Sequence, residues 1–202
     1  MKMRILTLAI AGMVLLSPVL GAWADERIKL TPEMFEHEIV RLHPKDVDAS
    51  LLPLDSIEEL NTTGTPQDVD IATWRLEVRG EKVDPALSLT YEELSQMKMI
   101  KKKVILICPG FFVDYAEWEG VPLLSILERA NVGQEYDTVT FSGLDGYSSS
   151  FSREEVENNV LFLALKVNGR TLPKEHGFPA RLVAEDTFGG RWVKWISAIE
   201  AK

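Results

Sequence analysis

The groups best suited to chemistry in this sequence are one cysteine and a late cluster of cations. Cys108 is the only cysteine, and it lies near the end of the stretch KVILICPG, residues 103–110. A thiolate there could bind a soft metal, attack an electrophile or pair with another chain, whereas a buried thiol serves as a small hydrophobe. Far along the chain, His176, Arg181, Arg191 and Lys194 gather in one short section with Gly189-Gly190. Arginine grips phosphate through two parallel N–H bonds, lysine adds a point charge, and paired glycines let main-chain N–H groups approach. The section therefore suits an anion. One alternative stays open: Arg181 and Lys194 sit beside Leu182, Val193 and Trp195, as charged residues do on the solvent faces of strands.

Such groups need elements to hold them. Val104, Ile105, Leu106 and Ile107 form a β-branched and aliphatic run suited to a strand buried on both faces. Pro109 and Gly110 then turn the chain, which puts Cys108 at the strand's exit, where a thiol can reach a cleft. Before this strand, Lys101–Lys103 reads as a basic, solvated turn. Pro122–Ala130 has the pattern of a helix, Tyr136–Phe141 of a strand closed by Ser142–Gly146, and Ser152 with Glu155 of a capping box. Val160–Val167 reads as a strand followed by an Asn168-Gly169 hairpin turn. Ala180–Val183 and Trp192–Ile199 read as the last strands.

Nearer the N-terminus, Thr31-Pro32-Glu33 opens a helix expected to reach Leu42, with Phe35, Ile39 and Leu42 on one face. His37 and His43, in or beside it, are expected to be solvated or capping. Leu51–Pro66 reads as a surface loop, and Asn61-Thr62-Thr63 within it matches a glycosylation acceptor. Ile71–Val78 alternates as a half-buried strand with Trp74, Leu76 and Val78 inward, and Thr90 with Glu93 caps a short helix through Met97. Short strands outnumber short helices and no βαβ period recurs, so the class is α+β with mixed sheets.

The chain has 202 residues, 22 basic against 31 acidic, for a formal net charge of −9. That balance argues against nucleic acid and anionic membrane surfaces as partners. Lys2 and Arg4 precede an apolar run from Ile5 to Leu20, then Ala22-Trp23-Ala24, the pattern of a signal peptide over residues 1–24. A periplasmic or secreted mature chain with no stable membrane span is expected. Residues 25–69 form an N-terminal helix and loop extension, and 70–202 form one domain.

Several motifs together resemble the molybdopterin-binding domain of the sulfite oxidase family. They are Trp74-Arg75-Leu76-x-Val78-x-Gly80, Cys108, Trp118-x-Gly120-Val121-Pro122-Leu123, and Leu144-Asp145-Gly146-Tyr147. Val167-Asn168-Gly169, His176-Gly177-Phe178-Pro179-x-Arg181 and Gly190-x-x-Val193-Lys194-Trp195 follow in the same order. The resemblance covers most of Asp70 to Glu200 and implies a sulfite oxidase-like fold. It implies that Cys108 binds molybdenum, and that His176, Arg181 and Lys194 hold the pterin and its phosphate. Asp145 matches a pterin contact, Arg191 could assist, and Tyr147 matches the active-site tyrosine. The implied cofactor is molybdenum-molybdopterin and the implied reaction is oxygen atom transfer. The substrate would be a small anion or an S-oxide or N-oxide, and electrons would pass through a separate partner.

Where that family carries Arg-Asn-His, this chain carries Leu60-Asn61-Thr62, so Asn61 alone matches as a cofactor contact. The stretch Pro109–Asp114 is short and apolar, which implies a reshaped pocket. Lys2-Met3-Arg4 also differs from a twin-arginine export signal. These differences define the alternative, a cofactor-free periplasmic binding or assembly module that keeps the fold.

Overall fold

The computed structural model describes residues 27–34, 39–81, 83, 85–133 and 136–202. The leader read at 1–24, together with Phe35 and His37, lies outside them. In chain order the elements are β1 (Ile28–Lys29), β2 (Val47–Asp48), β3 (Leu76–Gly80), β4 (Leu87–Leu89), α1 (Tyr91–Ser95), β5 (Ile100–Cys108) and β6 (Phe112–Pro122). There follow α2 (Leu123–Arg129), β7 (Thr138–Gly143), β8 (Ser148–Ser152), α3 (Arg153–Asn158), β9 (Leu161–Val167), β10 (Arg170–Thr171), β11 (Arg181–Ala184) and β12 (Ile196–Ala201). One sheet runs β10-β9-β6-β5 with β11 also pairing β9, and a second runs β4-β3-β12-β7-β8. A parallel pair, β1-β2, stands apart. The α+β class with mixed sheets and short helices is therefore the observed one.

Strand β5 ends at Cys108, and the main-chain N–H of Phe111 donates to the Cys108 carbonyl (3.0 Å) in the turn that starts β6. All nine residues of β5 pair antiparallel with β6, from Ile100↔Gly120 to Cys108↔Phe112. Its two faces bury different partners, as the apolar run requires. Val104 and Leu106 join the main core with Trp118, Phe162 and Trp192, while Ile105 and Ile107 lie under Leu30, Ile39, Val47 and Leu52 of the N-terminal segment. Each such side chain contributes about 1.5–3 kcal/mol by leaving water.

Both capping boxes are present, Thr90 with Glu93 and Ser152 with Glu155, and Asn168-Gly169 turns with positive φ at both residues. Other boundaries move. Lys101–Lys103 belongs to β5 and not to a turn, because strand pairing sets Lys101 beside Glu117 (3.2 Å) and Glu119 (3.5 Å). In the segment expected to be a helix from Thr31 to Leu42, the described parts are 3-10 turns, Pro32–Met34 and Ile39–Arg41. His43 does cap, its Nδ1 accepting from the Lys45 N–H (3.3 Å). The strand expected over Ile71–Val78 starts at Leu76, after a turn in which the Thr73 and Trp74 N–H groups both donate to the Asp70 carbonyl. The final strand starts at Ile196, so Trp192–Trp195 is irregular chain. Neither Arg181 nor Lys194 lies on a solvent face.

Candidate functional site

Cys108 lines a cavity of roughly 420 Å³, together with Asp145, Tyr147 and Lys194. Four stretches far apart in sequence build it: the β5-β6 turn, the β7-β8 turn, residues 63–64, and the segment from Gly189 to Trp195. Gly189 is required there. A Cβ on it would stand 2.7 Å from Cys108 Sγ and 2.8 Å from Leu106 Cδ2, so any larger residue would press on the sulfur.

The cations converge from two sides. Arg181, the first residue of β11, is buried, with its guanidinium carbon 4.8 Å from the Trp118 ring and 5.4 Å from the Trp192 ring. Its Nε and the neighbouring Trp118 Nε1 are buried donors with no hydrogen-bond partner. Burial pushes the Arg181 pKa down to about 10, against the pull of Asp114 and Cys108. Lys194 Nζ donates to the Thr63 carbonyl and to the Glu175 carbonyl (3.2 Å) and stands 4.8 Å from the Trp195 ring. Burial, helped by Arg181, lowers its pKa to about 8.

Gly177 lets the two cations meet. Its φ is +109°, and a Cβ there would come within 3.0 Å of both Arg181 Cβ and Lys194 Cβ. On the other side of Lys194, Trp195 takes φ +50°, a conformation strained for so bulky a side chain. Surrounding bonds hold it there: its Nε1 donates to the Lys174 carbonyl (2.7 Å) and its carbonyl accepts from Leu144 N–H (2.9 Å). His176 is buried near these two cations and is not among the cavity's lining residues; burial lowers its pKa, followed by Arg181 and Lys194, against a hydrogen bond with the Ile57 main chain.

The remaining expected residues separate into those at the cavity and those away from it. Asp145 accepts from the Tyr147 N–H (3.0 Å), and the Tyr147 hydroxyl donates to the Gly190 carbonyl. Arg191 turns away from the cavity: it donates to Glu155 and to the Ser150 carbonyl and lies over the Phe151 ring at 3.8 Å. Asn61 does not line the cavity. Its main-chain N–H (3.0 Å) and Nδ2 (2.8 Å) both donate to Asp114 Oδ1. That amide is already engaged, which argues against use of Asn61 as a glycan acceptor.

Asp114 is the residue that sequence reasoning missed. It pairs with Leu106 across the β5-β6 ladder, on the same side as Cys108, and only 5 % of it is exposed. Its pKa is raised, chiefly by burial, against the Asn61 donors and Arg181. The Cys108 thiol is likewise pushed up by burial first and Asp114 second, while Arg181 and Lys194 oppose the shift. The signal was there: Asp114, Ala116 and Trp118 alternate inward, but only once the stretch after Cys108 is taken as a strand.

A single thiol with cations behind it, on an α+β frame of two main sheets, is a site able to hold an anionic group beside a thiolate. Comparison with known proteins agrees. The profile described as "Oxidoreductase molybdopterin binding domain" matches residues 62–202, and the chain belongs to that family, as a small domain related to the sulfite oxidases. It is 28 % identical over 163 residues to mitochondrial sulfite oxidase of Rattus norvegicus, covering 66 % of this chain and 30 % of that protein. To the uncharacterized oxidoreductase YuiH of Bacillus subtilis it is 28 % identical over 146 residues, covering 72 % and 73 %. The sulfane dehydrogenase SoxCD of Paracoccus pantotrophus superposes with a TM-score of 0.62 at 27 % identity, covering 67 % of this chain and 40 % of that one. The chain thus spans less than a third of the length of the sulfite oxidase it matches. Among the described residues, no helix is long and apolar enough to cross a membrane.

Proposed function

We propose that this chain is a molybdopterin-dependent oxidoreductase that transfers an oxygen atom to or from a small substrate. The observation that carries this reading is the convergence of Cys108 and Lys194 on one cavity with Arg181 behind them. The residues fit the cofactor. The described residues hold no group of three or more His, Cys, Asp or Glu able to bind a metal, so a metal here would take one thiolate, from Cys108, and further ligands from an organic group. The unpartnered Arg181 Nε supplies a donor to an anionic one. In this reading Lys194 and His176 hold the pterin and its phosphate, and Asp145 makes a polar contact. Asn61 acts through Asp114, and Arg191 braces the Gly189-Gly190 turn through Glu155.

The cofactor would supply a two-electron centre for oxygen atom transfer. The overall balance is an oxide plus two electrons and two protons giving the reduced substrate and water, or the reverse, with a separate redox protein as donor or acceptor. Cys108 would give up its proton on binding, a step favoured by Arg181 and Lys194. Tyr147 would orient substrate at the open side by turning its hydroxyl from the Gly190 carbonyl. Residues 25–69 serve as an extension of the 70–202 domain, and Thr63 and Gly64 of that extension complete the cavity wall. The leader-like start supports a periplasmic or secreted location.

Protein purified from its native host is expected to contain equimolar molybdenum, and Cys108→Ser to lose it. Metal-free native protein would overturn the proposal. A second reading has one observation in its favour: Lys194 is already satisfied by the chain's own carbonyls at Thr63 and Glu175. This is the cofactor-free binding or assembly module, for which Cys108→Ser would leave native function intact.

A further inference from the structure

We infer that the open side of this cavity selects a neutral oxide carrying an apolar group, and discriminates against small oxyanions. The inference rests on the reading above, in which Arg181 and Lys194 hold the cofactor. Its evidence is the charge and shape of what remains at the mouth.

The described cations near the cavity are held back from its mouth. Arg181 is buried behind Trp118 and Trp192, Lys194 is tied to two carbonyls, and Arg191 is paired with Glu155. Lys194 is the only Lys or Arg among the cavity's lining residues, and the only charged group accompanying it there, apart from the thiol, is the Asp145 carboxylate. An oxyanion entering such a mouth would shed water for at most the one Lys194 N–H not already given to a carbonyl, and would meet Asp145. Aromatic side chains form the lip. Phe111, at the tip of the β5-β6 turn, is 84 % exposed, Tyr147 is 48 % exposed, and Phe112 is half-buried beside Cys108. An exposed phenylalanine at a cavity mouth costs solubility unless a partner covers it, and a flat apolar substituent would do so by offset or edge contact. The nearby Gly189 and Gly190 add no side chains that would narrow the approach. Placement and charge both point to a substrate whose oxygen enters first and whose apolar arm stacks on Phe111.

The test is calorimetric titration of protein from the native host, with its molybdenum content measured on the same sample. Methyl phenyl sulfoxide serves as the neutral oxide and sulfate as an unreactive oxyanion. The sulfoxide is expected to bind more tightly than sulfate, and Phe111→Ala to weaken it about tenfold, the order expected for one aromatic contact. Sulfate binding is expected to be unchanged in that variant. Because Phe111 is exposed, an unchanged thermal midpoint will confirm that the variant folds. Preference for sulfate, or no effect of Phe111→Ala on the sulfoxide, overturns the inference. Metal-free protein would overturn the proposed function and this inference with it, whereas molybdenum-loaded protein preferring sulfate would overturn this inference alone.

Discussion

The two faces of β5 are built from adjacent residues of one strand and follow opposite physical rules. On the outer face, Ile105 and Ile107 meet Leu30, Ile39, Val47 and Leu52, an apolar contact whose stability is simple area removed from water. On the inner face, the same strand brings Leu106 and Cys108 to a wall holding Arg181, Lys194, His176 and Asp114, all buried. Buried charges cost stability unless fully paired, and the lowered pKa values of Arg181 and Lys194 are the sign of that cost. The outer face stabilises the strand so that the inner face can carry groups chosen for binding.

The strongest test of that division is Ile107→Ala. Ile107 has no exposed surface, and its loss leaves a cavity between β5 and the N-terminal segment. Destabilisation of about 2–5 kcal/mol is expected from urea unfolding. The pH profile of Cys108 alkylation in the folded protein should not move. A shifted profile would mean that the two faces are not independent.

Next in size is the pH dependence contributed by Lys194. Its folded pKa, about 8, lies below its unfolded value of 10.5, so the unfolded chain binds the proton more tightly. Below pH 8 the buried charge carries its full penalty, and between pH 8 and 10.5 that penalty lifts as the folded state loses the proton first. Wild-type stability should therefore rise with pH in that window relative to Lys194→Met, by at most about 3 kcal/mol. A flat difference would show that Lys194 is already paired well enough to cost nothing. Because Lys194 itself acts on the Cys108 thiol, whose raised pKa works in the opposite direction, the comparison is made with Cys108→Ser in both proteins.

The same contrast explains how much was legible in the sequence. Capping boxes, the Asn168-Gly169 turn and the apolar run of β5 are local signals, and their elements stand where local chemistry puts them. The motifs bearing Cys108, Asp145, Tyr147 and Lys194 stood out only through their joint order, which resembles that of the sulfite oxidase family's molybdopterin domain. What could not be read was direction. Arg191 lies one residue beyond Gly190 but points to Glu155, while Lys194 points inward to the Thr63 and Glu175 carbonyls. Neither orientation follows from hydropathy. Lys101–Lys103 read as a turn because three charges interrupt the apolar pattern, yet Glu117 and Glu119 of β6 compensate Lys101, and Glu185, just after β11, compensates Lys102. Asp114 was hidden for a similar reason: its partner Asn61 lies 53 residues earlier.

The smallest effect, and the sharpest probe of the inner face, is Asn61→Ala. Asn61 is exposed, so little apolar area is lost, but its Nδ2 donates to a carboxylate that is almost fully buried. Removing one donor from that acceptor should cost about 1 kcal/mol at neutral pH. Asp114 already has a raised pKa, so its charged form penalises the fold above the unfolded value of 3.8 and the penalty vanishes when both states are protonated. The variant raises that pKa further, so its destabilisation should be present at neutral pH and shrink as pH falls through the folded pKa of Asp114. A loss independent of pH would assign Asn61 to simple loop packing. A loss that fades in acid would show that the strap at residues 61–64 is held against the cavity by the charge of Asp114.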